Sequence, residues 1–270
     1  MKWILFSCLT IIYSASLHAQ KSGQTDWEIG VSSGVSWYNG DLNPDVFFGK
    51  NFIHQMYGIS ARRNINQRWA LRFEGVYGEL SASDELSTDD FLTLRNLSFS
   101  SKVYEAAGMI EFNFFEFDAL ISKYRFSPYT FIGMGIFRFN PETSVEGNSY
   151  VLSTLQTEGK KYNRTSVAIP FGMGFKWALT DRIIFSADWG MRKTFSDYID
   201  DVSDMYPAAN EVNGLSKALS DRSLQQAGPD GTNWNTQRGN ARNKDWYSIV
   251  KATLSIRIGP KKGSCKHLRI

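Results

Sequence analysis

The stretch WEIGVSSGVSWYNGDLNP, Trp27 to Pro44, constrains the fold more than any other part of the chain. Every second residue is apolar: Trp27, Ile29, Val31, Val35 and Trp37. Between them lie Glu28, Gly30, Ser32, Gly34 and Ser36. Strict alternation marks a strand with two unlike faces. One face is greasy and ends in aromatics; the other is almost without side chains. A membrane barrel supplies a place for both. Its outside meets lipid, with aromatics at the two interfaces, and its inside is too narrow for large residues on every strand. Ten residues at a rise of about 3.3 Å, tilted by about 40°, cover roughly 25 Å, the height of a lipid-facing band.

The same period recurs along the chain. HQMYGISARR puts Tyr57, Ile59 and Ala61 on one face. RWALRFEGVYGEL puts Trp69, Leu71, Phe73 and Tyr77 opposite Ala70, Arg72, Glu74 and Gly78. From about Lys102 to Phe114, Tyr104, Ala106, Ile110 and Phe112 alternate with Glu105, Met109, Glu111 and Asn113. SPYTFIGMGIFRFN places Tyr129, Phe131, Phe137 and Phe139 on one face. The cleanest run sets Val167, Ile169, Phe171, Met173, Phe175 and Trp177 against small residues and Lys176. Two more follow, around Phe185–Arg192 and Trp246–Ile258. Pro170 interrupts one of these runs, because proline cannot donate to a ladder; a bulge or a locally lost ladder bond is expected there.

These segments predict an all-β chain: an eight-stranded, antiparallel, up-and-down transmembrane β-barrel. The expected connections alternate in length. Ile65–Gln67 and Thr180–Arg182 are tight, whereas Ser81–Ser100, Asn140–Asn163 and Ser196–Lys244 are long. Short periplasmic turns and long extracellular loops are the pattern of outer-membrane barrels. Arg72, Glu74, Glu105, Glu111, Lys176, Asp188, Arg192, Lys251 and Arg257 all fall on the inward parity. They are five bases and four acids, able to pair and plug the bore rather than line a channel. Trp27, Trp37, Trp69, Trp177, Trp189 and Trp246 are expected at the lipid interfaces. A secreted β-sandwich would not explain those aromatic strand ends.

The N-terminus reads as a signal peptide over residues 1–19: Lys2, an apolar run from Trp3 to Ser16, then Ala19-Gln20. Cys8 lies inside that run, not at its end, so a lipoprotein anchor is not expected. The barrel is assigned to 20–259 and a basic periplasmic tail to 260–270. The net charge of +3 is no nucleic-acid footprint. After export one cysteine, Cys265, and two histidines, His54 and His267, remain. That is too few for an ordinary zinc site, so no metal is expected, and with no catalytic constellation in view no cofactor or catalytic residue is expected either.

WEIGVSSGVSWYNGDLNP, AAGMIEFNFFEFD, FSPYTFIGMGIFRFNP and VAIPFGMGFKWAL together resemble the PorG-like outer-membrane barrels of the type IX secretion machinery of Bacteroidota. The resemblance runs from about Trp27 to Gly259. It implies a non-enzymatic role: anchoring or positioning a protein-secretion complex by binding its periplasmic, lipoprotein-containing ring. The residues suggest where that partner would dock. The turn FEFDALISKYR carries Phe117, Leu120 and Ile121, and the tail carries Lys261, Lys262 and Lys266 beside Cys265. An unpaired cysteine in an exported protein suggests an intermolecular disulfide or a free thiol; with the partner that the resemblance implies, an oxidising compartment would allow a disulfide to the ring lipoprotein. The alternatives are a free-standing surface barrel whose outer loops bind an external ligand, or a small pore.

Three other features bear on function. His54 stands near the outer rim without a catalytic constellation, and reads as a solvated histidine. Asp197, Asp200, Asp201 and Asp204 lack the spacing of a calcium loop and read as a solvated acidic loop. NGLSKALSDRSL has Leu215, Ala218 and Leu219 at helical spacing and predicts a short helix packed on the barrel mouth.

Overall fold

The computed structural model describes residues 26–43, 52–145, 147–223 and 232–259. Eight long antiparallel strands form the wall: β1 (Trp27–Asn39), β2 (His54–Asn64), β3 (Trp69–Ser83), β4 (Ser98–Asn113), β5 (Phe126–Arg138), β8 (Thr165–Ala178), β9 (Ile183–Thr194) and β10 (Trp246–Ile258). Neighbours in sequence pair around the ring, β1 pairs with β10, and β3 pairs with β4, so the eight-stranded wall closes on itself as a barrel. The chain thus has the predicted architecture. The two extra strands, β6 (Pro141–Val145) and β7 (Asn148–Val151), form a hairpin in the loop after β5. β6 pairs with the far end of β4.

Tight turns close one end of the barrel and long loops the other. β3 and β4 run beyond the predicted loop limits, to Ser83 and from Ser98. Their connection holds α1 (Asp90–Arg95), capped by the Asp89 side chain, which accepts from the Phe91 N–H. It ends at Asn96, in the left-handed region that asparagine tolerates, at φ 57°. α2 (Leu152–Leu155) and α3 (Gly214–Ser220) lie in the other two long loops. α3 occurs where helical spacing predicted it, but its buried residues are Leu219 and Ser220; Leu215 and Ala218 face outward.

Alternation sets the two faces. Every long strand shows exposed apolar residues outside: Ile29 and Val31, Tyr57 and Ile59, Phe73 and Tyr77, Tyr104 and Ile110, Ile132 and Met134, Met173 and Phe175, Ile183, Leu254 and Ile256. Ile59 is 67% exposed and Met134 69%. Water-soluble monomers rarely expose so continuous an apolar belt. Inside, glycine makes room for its neighbours. Gly34 faces Lys251 on β10, and a β-carbon on Gly34 would overlap the Val250 carbonyl oxygen. The β5 aromatics Tyr129, Phe131 and Phe137 point inward and are buried.

Pro170 costs ladder pairing but no residue. Ile132 pairs with Phe171 and Gly135 with Ala168, so the register is continuous and there is no bulge. The pairing is interrupted opposite Gly133 and Met134, where proline has no N–H to give. Two of the predicted interface tryptophans depart from expectation. Trp37 is 2% exposed, because β1 runs past the apolar belt into the loop end, where Tyr38 and Leu42 are buried as well. Trp189 pairs with Met173 and Val250 in the middle of the wall, not at a strand end. Trp27, Trp69 and Trp177 lie at the turn end and are exposed, and Trp246 lies half-buried at the loop end of β10.

Candidate functional site

The bore is the most unusual environment in the protein. All nine predicted lumen charges, Arg72, Glu74, Glu105, Glu111, Lys176, Asp188, Arg192, Lys251 and Arg257, are buried there. Three more join them: Asp26, Glu28 and Arg62. Among the described residues the bore thus holds six acids and six bases. Removing a charge from water is costly unless it is paired, and these are paired in layers.

At the turn end Arg257 bonds Asp26, its Nε at 2.7 Å. Arg62 meets Glu28 at 2.7 Å and Glu111 at 2.8 Å. Glu111 is shared by Arg72 at 3.1 Å and by Lys176 at 3.6 Å. At mid-height Arg72 reaches Asp188 at 2.9 Å, which also accepts from the Tyr129 hydroxyl at 2.8 Å. Lys251 pairs with Glu74 and, at 3.4 Å, with Asp188. Nearer the loops Arg192 meets Glu105 at 3.4 Å, and Tyr247 donates to the same carboxylate. The Arg72 guanidinium lies 4.5 Å from the Phe131 ring centre, filling the width with a cation–π contact.

Both ends are stoppered. Phe117, predicted as a docking residue, is instead buried with Ala119, Ala178 and Ile184. Its ring lies 4.9 Å below the Lys176 ammonium. The turn is longer than a hairpin needs because it folds back to close the bore. Leu120 and Ile121 remain half-buried beside it. Lys261, Lys262, Cys265 and Lys266 lie outside the described residues, as does the predicted signal peptide.

At the loop end, an apolar layer of Met56, Leu80, Val103, Phe137, Phe139 and Ile249 joins loop residues Leu152, Ile199, Val202 and Leu219 in one core. Two arginines tie the loops over it. Arg95 holds Asp84 at 2.7 Å and the carbonyls of Arg238 and Asp41. Arg238 holds Glu158 at 3.0 Å and the Asp201 and Ser220 carbonyls.

The acidic loop is not solvated: Asp197, Asp200 and Asp201 are buried, and only Asp204 is half-exposed. Asp201 accepts from Thr157 and from Tyr162 at 2.6 Å, and Asp197 from Ser203 at 2.7 Å. The Tyr38 hydroxyl lies 2.7 Å from Asp200 and 2.6 Å from Asp245. It has one proton to give, so the second carboxylate must carry a proton to bond it. Burial first, then neighbouring carboxylates, push the Asp200 and Asp245 carboxyls well above the usual range. Burial pushes Asp41 and Asp201 up to about 6. Among the described residues no cluster of three or more histidine, cysteine, aspartate or glutamate side chains is disposed to hold a metal ion. His54 is half-buried, with Nε2 2.5 Å from the Ser81 hydroxyl.

The parity of β2 could have disclosed Arg62, which shares a face with Met56 and Ser60. Glu28 stood in view on the small-residue face. Arg95 and Arg238 lie in loops, where no period announces burial.

A family model described as a domain of unknown function, DUF6089, matches residues 2–218. The chain belongs to this family. No curated protein matches the DUF6089 chain in sequence. Among solved structures it is similar to the attachment invasion locus protein Ail of Yersinia pestis, solved with the heparin analogue sucrose octasulfate. The identity is 11%, over 87% of this chain and 100% of that one, with a TM-score of 0.42. Neisserial surface protein A is 12% identical over 87% and 99%, with a TM-score of 0.44. The outer membrane protein OprG of Pseudomonas aeruginosa is 11% identical over 89% and 99%, with a TM-score of 0.43.

Proposed function

We propose that this DUF6089 protein is a closed, non-enzymatic outer-membrane barrel that works by binding. It anchors or positions a protein-secretion complex of the type IX kind, with its turn end and C-terminal tail toward the periplasm. The observation that carries the binding role is the bore: paired charges fill it and aromatic and apolar layers stopper it, which argues against transport. The apolar belt around all eight strands supports residence in a membrane. The secretion partner rests on the resemblance of four sequence blocks. With Phe117 turned inward, the docking surface left at that end is Leu120, Ile121 and the tail.

A second reading, recognition of an external ligand, is favoured by the loop end, where Arg95 and Arg238 brace a packed cap. One gel separates the two. Outer membranes are run without reductant, from cells carrying the wild type or Cys265→Ser. A reducible, Cys265-dependent higher band is expected, and mass spectrometry then names the periplasmic partner. A lone monomer band in both, with secretion intact after deletion of residues 260–270, would favour the external-ligand role.

A further inference from the structure

One side of the outer wall is built as a groove. Along the hydrogen-bonding direction, Trp69 pairs with Phe112, Phe112 with Thr130, Thr130 with Met173 and Met173 with Trp189. The next outward row is Ile110, Ile132, Phe171 and Met191. Thr130 is the one short side chain in the first row, and the wall sinks there into an apolar trough of about 670 Å³. The Thr130 hydroxyl donates to the Gly172 carbonyl of the neighbouring strand at 2.8 Å. That bond satisfies the hydroxyl, so no polar group is stranded there.

Toward the turn end the groove leads to cations. Phe112 and Phe114 pack edge to face, and Phe126 packs on Phe175. Beyond these rings a second hollow, about 440 Å³, is lined by Arg68, Glu116, Lys123 and Tyr124 with Phe115 and Phe126. Arg68 directly precedes Trp69 of the groove, and Phe126 lies four residues, or ~13 Å of strand, below Thr130. Arg68 bonds the Phe114 carbonyl at 2.6 Å and stands 3.8 Å from Glu116, half in solvent. Lys123 lies 5.6 Å over the Tyr124 ring and makes no ion pair among the described residues. The neighbouring Arg125 is already committed to Asp181. Two cations and one carboxylate thus line the hollow, leaving positive charge at the mouth of an apolar trough. This sector lies above the turn between β4 and β5.

We propose that this sector binds one anionic phospholipid of the periplasmic leaflet, its phosphate on Arg68 and Lys123 and an acyl chain in the trough over Thr130. The proposal rests on the membrane reading above. It adds a lipid of defined charge at a defined place, next to the turn that closes the bore.

The test uses the full-length barrel in vesicles whose phosphatidylcholine carries brominated acyl chains, which quench nearby tryptophan. The Trp69 and Trp189 signals are isolated by difference from the Trp69→Phe/Trp189→Phe variant. Unbrominated phosphatidylglycerol is then added in steps. If it prefers the sector, fluorescence recovers faster than its mole fraction, with a relative binding constant of about 5 for phosphatidylglycerol over phosphatidylcholine. Lys123→Gln, which removes no hydrogen bond among the described residues, and Arg68→Gln/Lys123→Gln should return that constant to about 1. Recovery in proportion to mole fraction in the wild type, or a preference unchanged in both variants, would overturn the proposal. No quenching by the brominated lipid at all would instead overturn the membrane reading.

Discussion

Glu111→Leu is expected to destabilise the folded barrel by about 3–5 kcal/mol, the cost of removing one partner from a buried ionic cluster. Glu111 is fully buried and faces three cations: Arg62 at 2.8 Å, Arg72 at 3.1 Å and Lys176 at 3.6 Å. Arg62 keeps Glu28 after the change, and Arg72 keeps Asp188 and Glu74. Lys176 has no second ion pair among the described residues and is left in the bore without an acid to neutralise it. The loss should therefore be partly reversed by adding Lys176→Met, which removes the orphaned amine and keeps its volume. Urea unfolding in lipid or detergent, followed by the heat-dependent gel shift of folded barrels, reads both variants. The expected order is wild type, then the double variant, then Glu111→Leu. A single variant within about 0.5 kcal/mol of wild type, inside the range of ordinary surface changes, would mean that the cluster does not hold the barrel together.

The loop cap should loosen as pH rises. In the folded cap Asp41, Asp200, Asp201 and Asp245 are held above the unfolded value of about 3.9. Between that value and the raised ones the folded state binds more protons than the unfolded state. Cap stability is then fully present below about pH 4 and falls as pH climbs. Asp41 and Asp201 complete their part of the fall near 6, and Asp200 and Asp245 continue it higher. The groups facing the Asp200–Asp245 pair are Tyr38, Asp41 and Asp197, with Lys244 3.2 Å from Asp197. Hydrogen exchange across 196–223, corrected for its intrinsic pH dependence, should show more protection at pH 5 than at pH 8.

Asp200→Asn should flatten that slope. A carboxamide can still accept from the Val202 N–H, as Asp200 does at 2.9 Å, and can donate to the Tyr38 oxygen. The Tyr38 proton is then free for Asp245. The variant should gain about tenfold protection at pH 8, about 1.4 kcal/mol, and little at pH 5. Protection that is flat or rises with pH in the wild type would contradict the shared-proton arrangement.

Much of the wall was legible because a strand writes its two environments into alternate residues. Val167, Met173 and Phe175 face out and Lys176 faces in by parity alone. The same rule reached nine of the twelve bore charges. It passed over Arg62, whose strand also carries Arg63 on the outer face, so that charge by itself did not tell the faces apart. Parity fails where a strand leaves the belt. Trp37 keeps the outward parity yet is buried, at the loop end of β1 beside Tyr38. Phe117 misled for the opposite reason: an apolar residue in a turn can dock a partner or fold back on its own barrel, and local sequence does not choose between them. The acidic loop looked solvated because its partners are remote. Asp200 meets Tyr38, and Asp201 meets Thr157, Tyr162 and Arg238, from distant parts of the chain.

The central claim is that an apolar belt surrounds a bore that pairs its own charges and admits no current. It is tested most directly by electrical recording on purified barrel inserted in planar phospholipid bilayers, with recovered protein checked for the heat-dependent gel shift. The bore chemistry predicts folded, inserted protein and a baseline free of stepwise conductance. Sustained unitary steps from the wild-type barrel would show an open path through Arg72, Glu74, Asp188 and Lys251, and would contradict the account.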